Sequence, residues 1–143
     1  MAVKPVPEGY HTVTPYLVVQ EPERVIAFLQ KTFDAKVLER HDAPDGSVRH
    51  AEIQLGDSKV MLGAAGGQWP PMPAVLYVYV PDVDEVYRRA LAAGGTSLRE
   101  PTDQFYGDRS GGVQDPGGNQ WWVATHKEDV SPEEMKRRAA AQA

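Results

Sequence analysis

The chain has 143 residues, 41% of them hydrophobic and 24% charged, with a net charge of −5, which is the size and balance of one compact water-soluble domain. It has no cysteine, so disulfides, thiolate metal sites and cysteine nucleophiles are excluded. No basic face for nucleic acid and no apolar run of membrane-spanning length is present; Lys136-Arg137-Arg138 reads as a solvated helix face, and a cytoplasmic location is expected. In chain order, Thr12 to Val19 is β-branched and aromatic enough for a strand. Pro22 then opens a helix with Val25, Phe28, Leu29 and Phe33 on its apolar face. Three strands follow: Lys36 to His41, Val48 to Leu55 after the turn Pro44-Asp45-Gly46, and Lys59 to Gly63 after Gly56-Asp57-Ser58.

Residues Ala64 to Pro73 are rich in glycine and proline and read as a linker, after which the same order begins again. Val75 to Val80 is strand-like. Asp82 with Glu85 has the form of a capping box, and Val83, Val86, Tyr87, Ala90 and Leu91 form the stripe of a helix that Gly94-Gly95 ends. Strands are expected near Ser97 to Glu100, Ser110 to Gln114 and Gln120 to His126, with a short helical tail at about 131–141. Thr14 to Val19 superposes on Val75 to Val80, and Gly56 to Leu62 on Gly117 to Val123, at one constant offset of 61. That spacing is too long for a solenoid repeat and indicates one βαβββ unit written twice. The expected fold is α+β within a single domain: module 1 at about 9–63, a linker at 64–73, module 2 at 74–126.

Several segments carry a family resemblance: Thr14-Pro15-Tyr16-Leu17-Val18-Val19, His50-Ala51-Glu52-Ile53, Val83-Asp84-Glu85-Val86 and Asp115-Pro116-Gly117-Gly118-Asn119. With them the chain resembles the glyoxalase/bleomycin-resistance/extradiol-dioxygenase, or vicinal oxygen chelate, superfamily from about Gly9 to His126. Phe105-Tyr106-Gly107-Asp108-Arg109 looks like one subgroup of its small members. The resemblance implies two tandem modules whose curved mixed sheets line a cavity, in a homodimer. It also implies four metal-ligand positions, which fall here on Thr14, Met61, Val75 and Trp122. A hydroxyl, a thioether, an isopropyl group and an indole are a poor donor set for a divalent ion. No metal and no other cofactor is therefore expected.

Alternation along the strands then assigns the cavity face. Tyr16 and Val18 share it in the first module, as do His50, Glu52 and Gln54, with Gln54 expected opposite Met61 if Asp57-Ser58 closes the hairpin. Ala51, Ile53, Leu55, Val60 and Leu62 form the opposite, apolar face. In the second module Tyr77, Tyr79 and Trp122 face the cavity, with Gln120, Ala124 and His126, while Trp121 faces the helices. Tyr16, His50, Glu52, Gln54, Met61, Tyr77, Tyr79 and Trp122 are thus the candidate ligand-binding residues; no catalytic residue is assigned. His50 and Glu52 also read as a surface pair, as a base with its orienter, or as relocated metal ligands. His126 is expected at the solvent, and Asp108 with Arg109 as an ion pair bracing a loop. The expected function is metal-free binding of a small aromatic or cationic molecule. The competing reading is a metal-dependent lyase, isomerase or dioxygenase using His50 and Glu52.

Overall fold

The computed structural model describes residues 2–142, and these form two compact units. Unit 1 holds the residues up to Ala74 together with Pro116–Gly118, and unit 2 holds Val75–Asp115 and the remainder from Asn119. Unit 1 carries β1 (Tyr16–Val19), α1 (Pro22–Phe33), β2 (Lys36–Asp42), β3 (Val48–Leu55) and β4 (Ser58–Ala64). Unit 2 carries β5 (Val75–Tyr79), α2 (Val83–Ala92), β6 (Thr96–Asp103), β7 (Asp108–Gln114), β8 (Gln120–His126) and α3 (Pro132–Gln142). The sheets have the same order, β1-β4-β3-β2 and β5-β8-β7-β6, with one parallel pair and two antiparallel pairs each. The duplication is visible in the register itself: Tyr16 lies beside Met61 as Tyr77 lies beside Trp122.

The helices begin where their local chemistry allows. Pro22 occupies the first turn of α1, where its missing N–H costs nothing. Asp82 accepts a hydrogen bond from the Glu85 backbone N–H at 3.2 Å and caps α2. α1 packs on β3 and β4, burying Val25, Phe28 and Leu29 with Ala51, Ile53 and Leu62. α2 packs on β6, β7 and β8, burying Val83, Val86 and Ala90 with Val113, Trp121 and Val123. The alternating apolar residues of each sheet thus face its own helix, which leaves the other face for polar and aromatic side chains.

Three sequence expectations change. β1 starts at Tyr16 rather than Thr12, because pairing with β4 begins there. The β3–β4 turn is Gly56-Asp57, since Gly56 supplies the positive φ of +60° at the first turn position. Met61 therefore stands opposite Glu52, and Gln54 opposite Lys59. The pairing moved by an even number of residues, so the faces are unchanged. Finally, Asp108 and Arg109 do not pair with each other. Arg109 reaches Asp84 at 2.9 and 3.0 Å and Asp103 at 3.2 Å, while Asp108 turns to the opposite face of the sheet.

The turn before β7 also locks the C-terminal segment. The Gly107 carbonyl accepts from the backbone N–H of Lys127 at 2.8 Å and of Glu128 at 3.2 Å. Arg138 of α3, from the cluster expected to be a solvated face, donates to the Phe105 carbonyl at 3.2 Å and to Glu128 at 2.6 Å. Gly107 has φ +100°, and a Cβ there would meet the Glu128 carbonyl oxygen. Gly107→Ala is expected to cost about 2 kcal/mol from the strained backbone and displaced contact. Hydrogen exchange in α3 should rise with it; unchanged protection there would show that this turn does not hold the helix.

Candidate functional site

In unit 1 the face away from α1 carries Tyr16, His50, Glu52, Met61 and Gly63 on three adjoining strands. The Tyr16 hydroxyl lies 3.0 Å from His50 Nδ1, and His50 Nε2 is 3.6 Å from a Glu52 carboxylate oxygen. The other Glu52 oxygen accepts the Tyr10 hydroxyl, which draws the N-terminal segment over this end of the sheet. A carboxylate beside Nε2 favours the proton on that nitrogen, leaving Nδ1 to accept from Tyr16. The Tyr16 ring lies across Gly63, where a Cβ would come within 2.5 Å of the phenol oxygen. Glycine at that position is what lets the ring lie down on the sheet.

Two open pockets flank this line of side chains. One, of about 650 Å³, is lined by Tyr16, His50, Arg49, Trp69 and Met72 among others. The other, of about 570 Å³, is lined by Tyr10, Thr14, Glu39, Glu52 and Met61 with part of the N-terminal segment. The first has walls that the sequence reading missed, since Ala64 to Pro73 read only as a linker. Gly66 and Trp69 exchange two backbone hydrogen bonds of 2.8 and 2.9 Å, closing a tight turn, and the Met72 N–H donates to the Val18 carbonyl at 2.9 Å. The segment is therefore tied to β1 and presents Trp69 and Met72 to the pocket. The available signal was two large side chains, Trp69 and Met72, in a stretch otherwise made of glycine, proline, alanine and one glutamine. Gln54 lies outside both pockets; it binds the Gly56 carbonyl and Lys59.

In unit 2 the corresponding face is organised by Asp108, which is 4% exposed. One of its oxygens accepts the Tyr77 hydroxyl at 2.8 Å and the Tyr79 hydroxyl at 3.0 Å, and the other meets His126 Nδ1 at 2.8 Å. His126, expected at the solvent, is 49% exposed at its side chain and is also held by Asp129 at 2.8 Å. Burial pushes the Asp108 carboxyl up, but the bonds from His126, Tyr77 and Tyr79 outweigh it and hold it below the usual range. His126 is raised, first by Asp108 and then by Asp129. Tyr77 is raised by burial and then by Asp108, and Tyr79 by Asp108 and then burial, so both phenols stay protonated. Their rings meet edge-on at 5.3 Å. Trp122 is half-buried against Gly112, and the Arg99 guanidinium stands 4.9 Å from its ring centre. Arg99 is itself fixed by Ser110 at 2.6 Å, so it occupies the position over the indole where a ligand would stack.

The donors at the four implied ligand positions do not suit a divalent metal. In unit 1 Thr14 precedes β1 and Met61 offers a thioether; in unit 2 Val75 has no donor and the Trp122 indole N–H donates to Gln120 at 3.2 Å. His50 and Glu52 already engage Tyr16 and Tyr10, and no group of three His, Asp or Glu side chains arranged for a metal occurs among the described residues.

Two repeated βαβββ sheets, each with one helix-covered apolar face and one polar, aromatic face, define a glyoxalase-type chain. The chain belongs to the glyoxalase/bleomycin resistance protein/dioxygenase superfamily, whose family model matches residues 10–123. An uncharacterized protein of Mycobacterium tuberculosis is 33% identical over 141 residues, covering 91% of this chain and 83% of its own. Among solved structures, TioX from Micromonospora sp. ML1 is 28% identical with a TM-score of 0.71, covering 81% of this chain and 98% of that one. TnmS3, described as an antibiotic binding protein from Streptomyces sp. CB03234, has the same fold: TM-score 0.65, 20% identity, covering 89% and 99%. No helix among the described residues is long and apolar enough to cross a membrane.

Proposed function

We propose that this protein binds a small, flat, largely apolar molecule in the 650 Å³ pocket of unit 1. One observation carries the reading: three large side chains surround that pocket and remain open to solvent, Trp69 at 59%, Met72 at 55% and Tyr16 at 51%. Exposed aromatic and thioether groups held on a tied-down loop lose little freedom when a ring stacks on them. The volume lies within the range of small-molecule sites. The description of TnmS3 as an antibiotic binding protein supports the same use of this fold. Metal-assisted catalysis through His50 and Glu52 is the weaker reading, because both already bind tyrosine hydroxyls.

The test is calorimetric titration with 2-naphthamide, a neutral bicyclic probe. Wild-type protein is expected to bind it, and Trp69→Ala is expected to weaken binding roughly tenfold, the size of one aromatic stacking contact. Because Trp69 is exposed, the unfolding midpoint should hardly move. Absence of binding by the wild type, or equal binding by the variant, would overturn the assignment.

A further inference from the structure

The pocket's polar groups decide which charge its ligand carries. The pocket is lined by Arg49 and His50 and by no carboxylate. The nearby acids lie elsewhere: Glu52 lines the other pocket and is engaged by Tyr10, and Glu39 lines that pocket too and meets His41 at 2.9 Å. Arg49 makes no hydrogen bond or ion pair among the described residues. Its charge reaches Asp45 only as the smallest of the influences on that carboxylate. Most arginines of this chain have a partner: Arg24, Arg40, Arg88, Arg109, Arg137 and Arg138 each pair with an acid. Arg49 is instead a planar five-donor cation standing uncommitted beside an apolar, aromatic cavity.

Resting on the reading that this pocket is the binding site, we infer that its ligand is an anionic aromatic: a flat ring system bearing a carboxylate or comparably acidic oxygen. The ring lies among Trp69, Met72 and Tyr16, and the anion reaches the Arg49 guanidinium, whose forked N–H groups match two oxygens. A cationic ring would place its charge against Arg49 with no acid on the pocket wall to offset it. The net charge of −5 opposes an anion at long range, but at physiological salt that field is screened beyond about 8 Å, whereas a direct contact is screened much less. The charge preference therefore runs opposite to the one that net charge alone suggests.

Three probes of nearly one shape separate the possibilities: 2-naphthoate, 2-naphthamide and 2-naphthylmethylammonium, each titrated calorimetrically at low and physiological salt. The expected order is anion tightest, then neutral, then cation, with about tenfold between the first two. Arg49→Gln should remove most of that tenfold while leaving 2-naphthamide within about twofold of wild type. The anion's advantage should also shrink as salt rises, because Arg49 is exposed. If 2-naphthamide binds but the cation binds best, or Arg49→Gln leaves the order unchanged, the charge inference fails while the pocket assignment stands. If 2-naphthamide does not bind, the pocket assignment itself fails.

Discussion

Trp121→Ala is expected to lower the stability of the protein by about 3–5 kcal/mol, a large part of what a domain of this size possesses. The indole is fully buried on the helix side of β8, beside Val113 on the neighbouring strand. Its N–H donates to Asp115 at 2.8 Å. Truncation removes the largest fully buried side chain and leaves a void that α2 and the sheet fill only in part. The Asp115 carboxylate keeps its bonds from the Asn119 backbone and side chain at 3.0 Å, so most of the cost is lost packing rather than an orphaned charge. Trp121→Phe, which keeps much of the ring volume, should cost clearly less. Trp122→Ala should also cost less, since that indole is only half-buried. Urea unfolding followed by circular dichroism measures all three. Equal losses at Trp121 and Trp122 would contradict the assignment of these neighbours to opposite faces.

That contrast was legible in the sequence because strand periodicity is a local property. Alternation placed Trp121 under the helix and Trp122 away from it, and the single offset of 61 tied the two halves together. The face of unit 1 was equally legible: His50, Glu52 and Met61 do share a side, and the turn error did not matter because it shifted the pairing by an even number. Long-range side-chain geometry was not legible. Asp108 and His126 are 18 residues apart, and only the antiparallel pairing of β7 with β8 brings them opposite each other. The pairing of Arg109 with Asp84 likewise links a sheet strand to the first turn of α2. The pocket in unit 1 escaped for a different reason. Composition marked Ala64 to Pro73 as a connection, and composition says nothing about whether a connection is pinned. Two backbone bonds within the Gly66–Trp69 turn and one from Met72 to β1 make it a wall.

Replacing the buried carboxylate of unit 2 is the second substitution with a large expected effect. Asp108→Ala should cost about 2–4 kcal/mol, because one nearly buried group accepts bonds from three side chains and its removal breaks all of them. Asp108→Asn keeps the shape and an acceptor oxygen but discards the charge, so it isolates the ionic part. The pH dependence follows from the two directions of shift. The Asp108 carboxyl is held below its ordinary value of 3.8, so its contribution is present above that pH and is lost as pH falls through its folded value. The His126 imidazole is held above its ordinary value of 6.5, so its contribution is complete below 6.5 and fades as pH rises through its folded value. The stability gap between wild type and Asp108→Asn should therefore be widest between about pH 4 and 6.5 and should narrow on both sides. His126→Gln should remove the narrowing at high pH and leave the acid side in place. The tyrosines supply an independent reading: with Asp108 intact, ultraviolet titration should show Tyr77 and Tyr79 ionising above ordinary phenols, and Asp108→Asn should bring both down. A gap that stays constant from pH 3 to 9, with no change in tyrosine titration, would mean that the carboxylate is not ionised in the folded protein and does not organise this face.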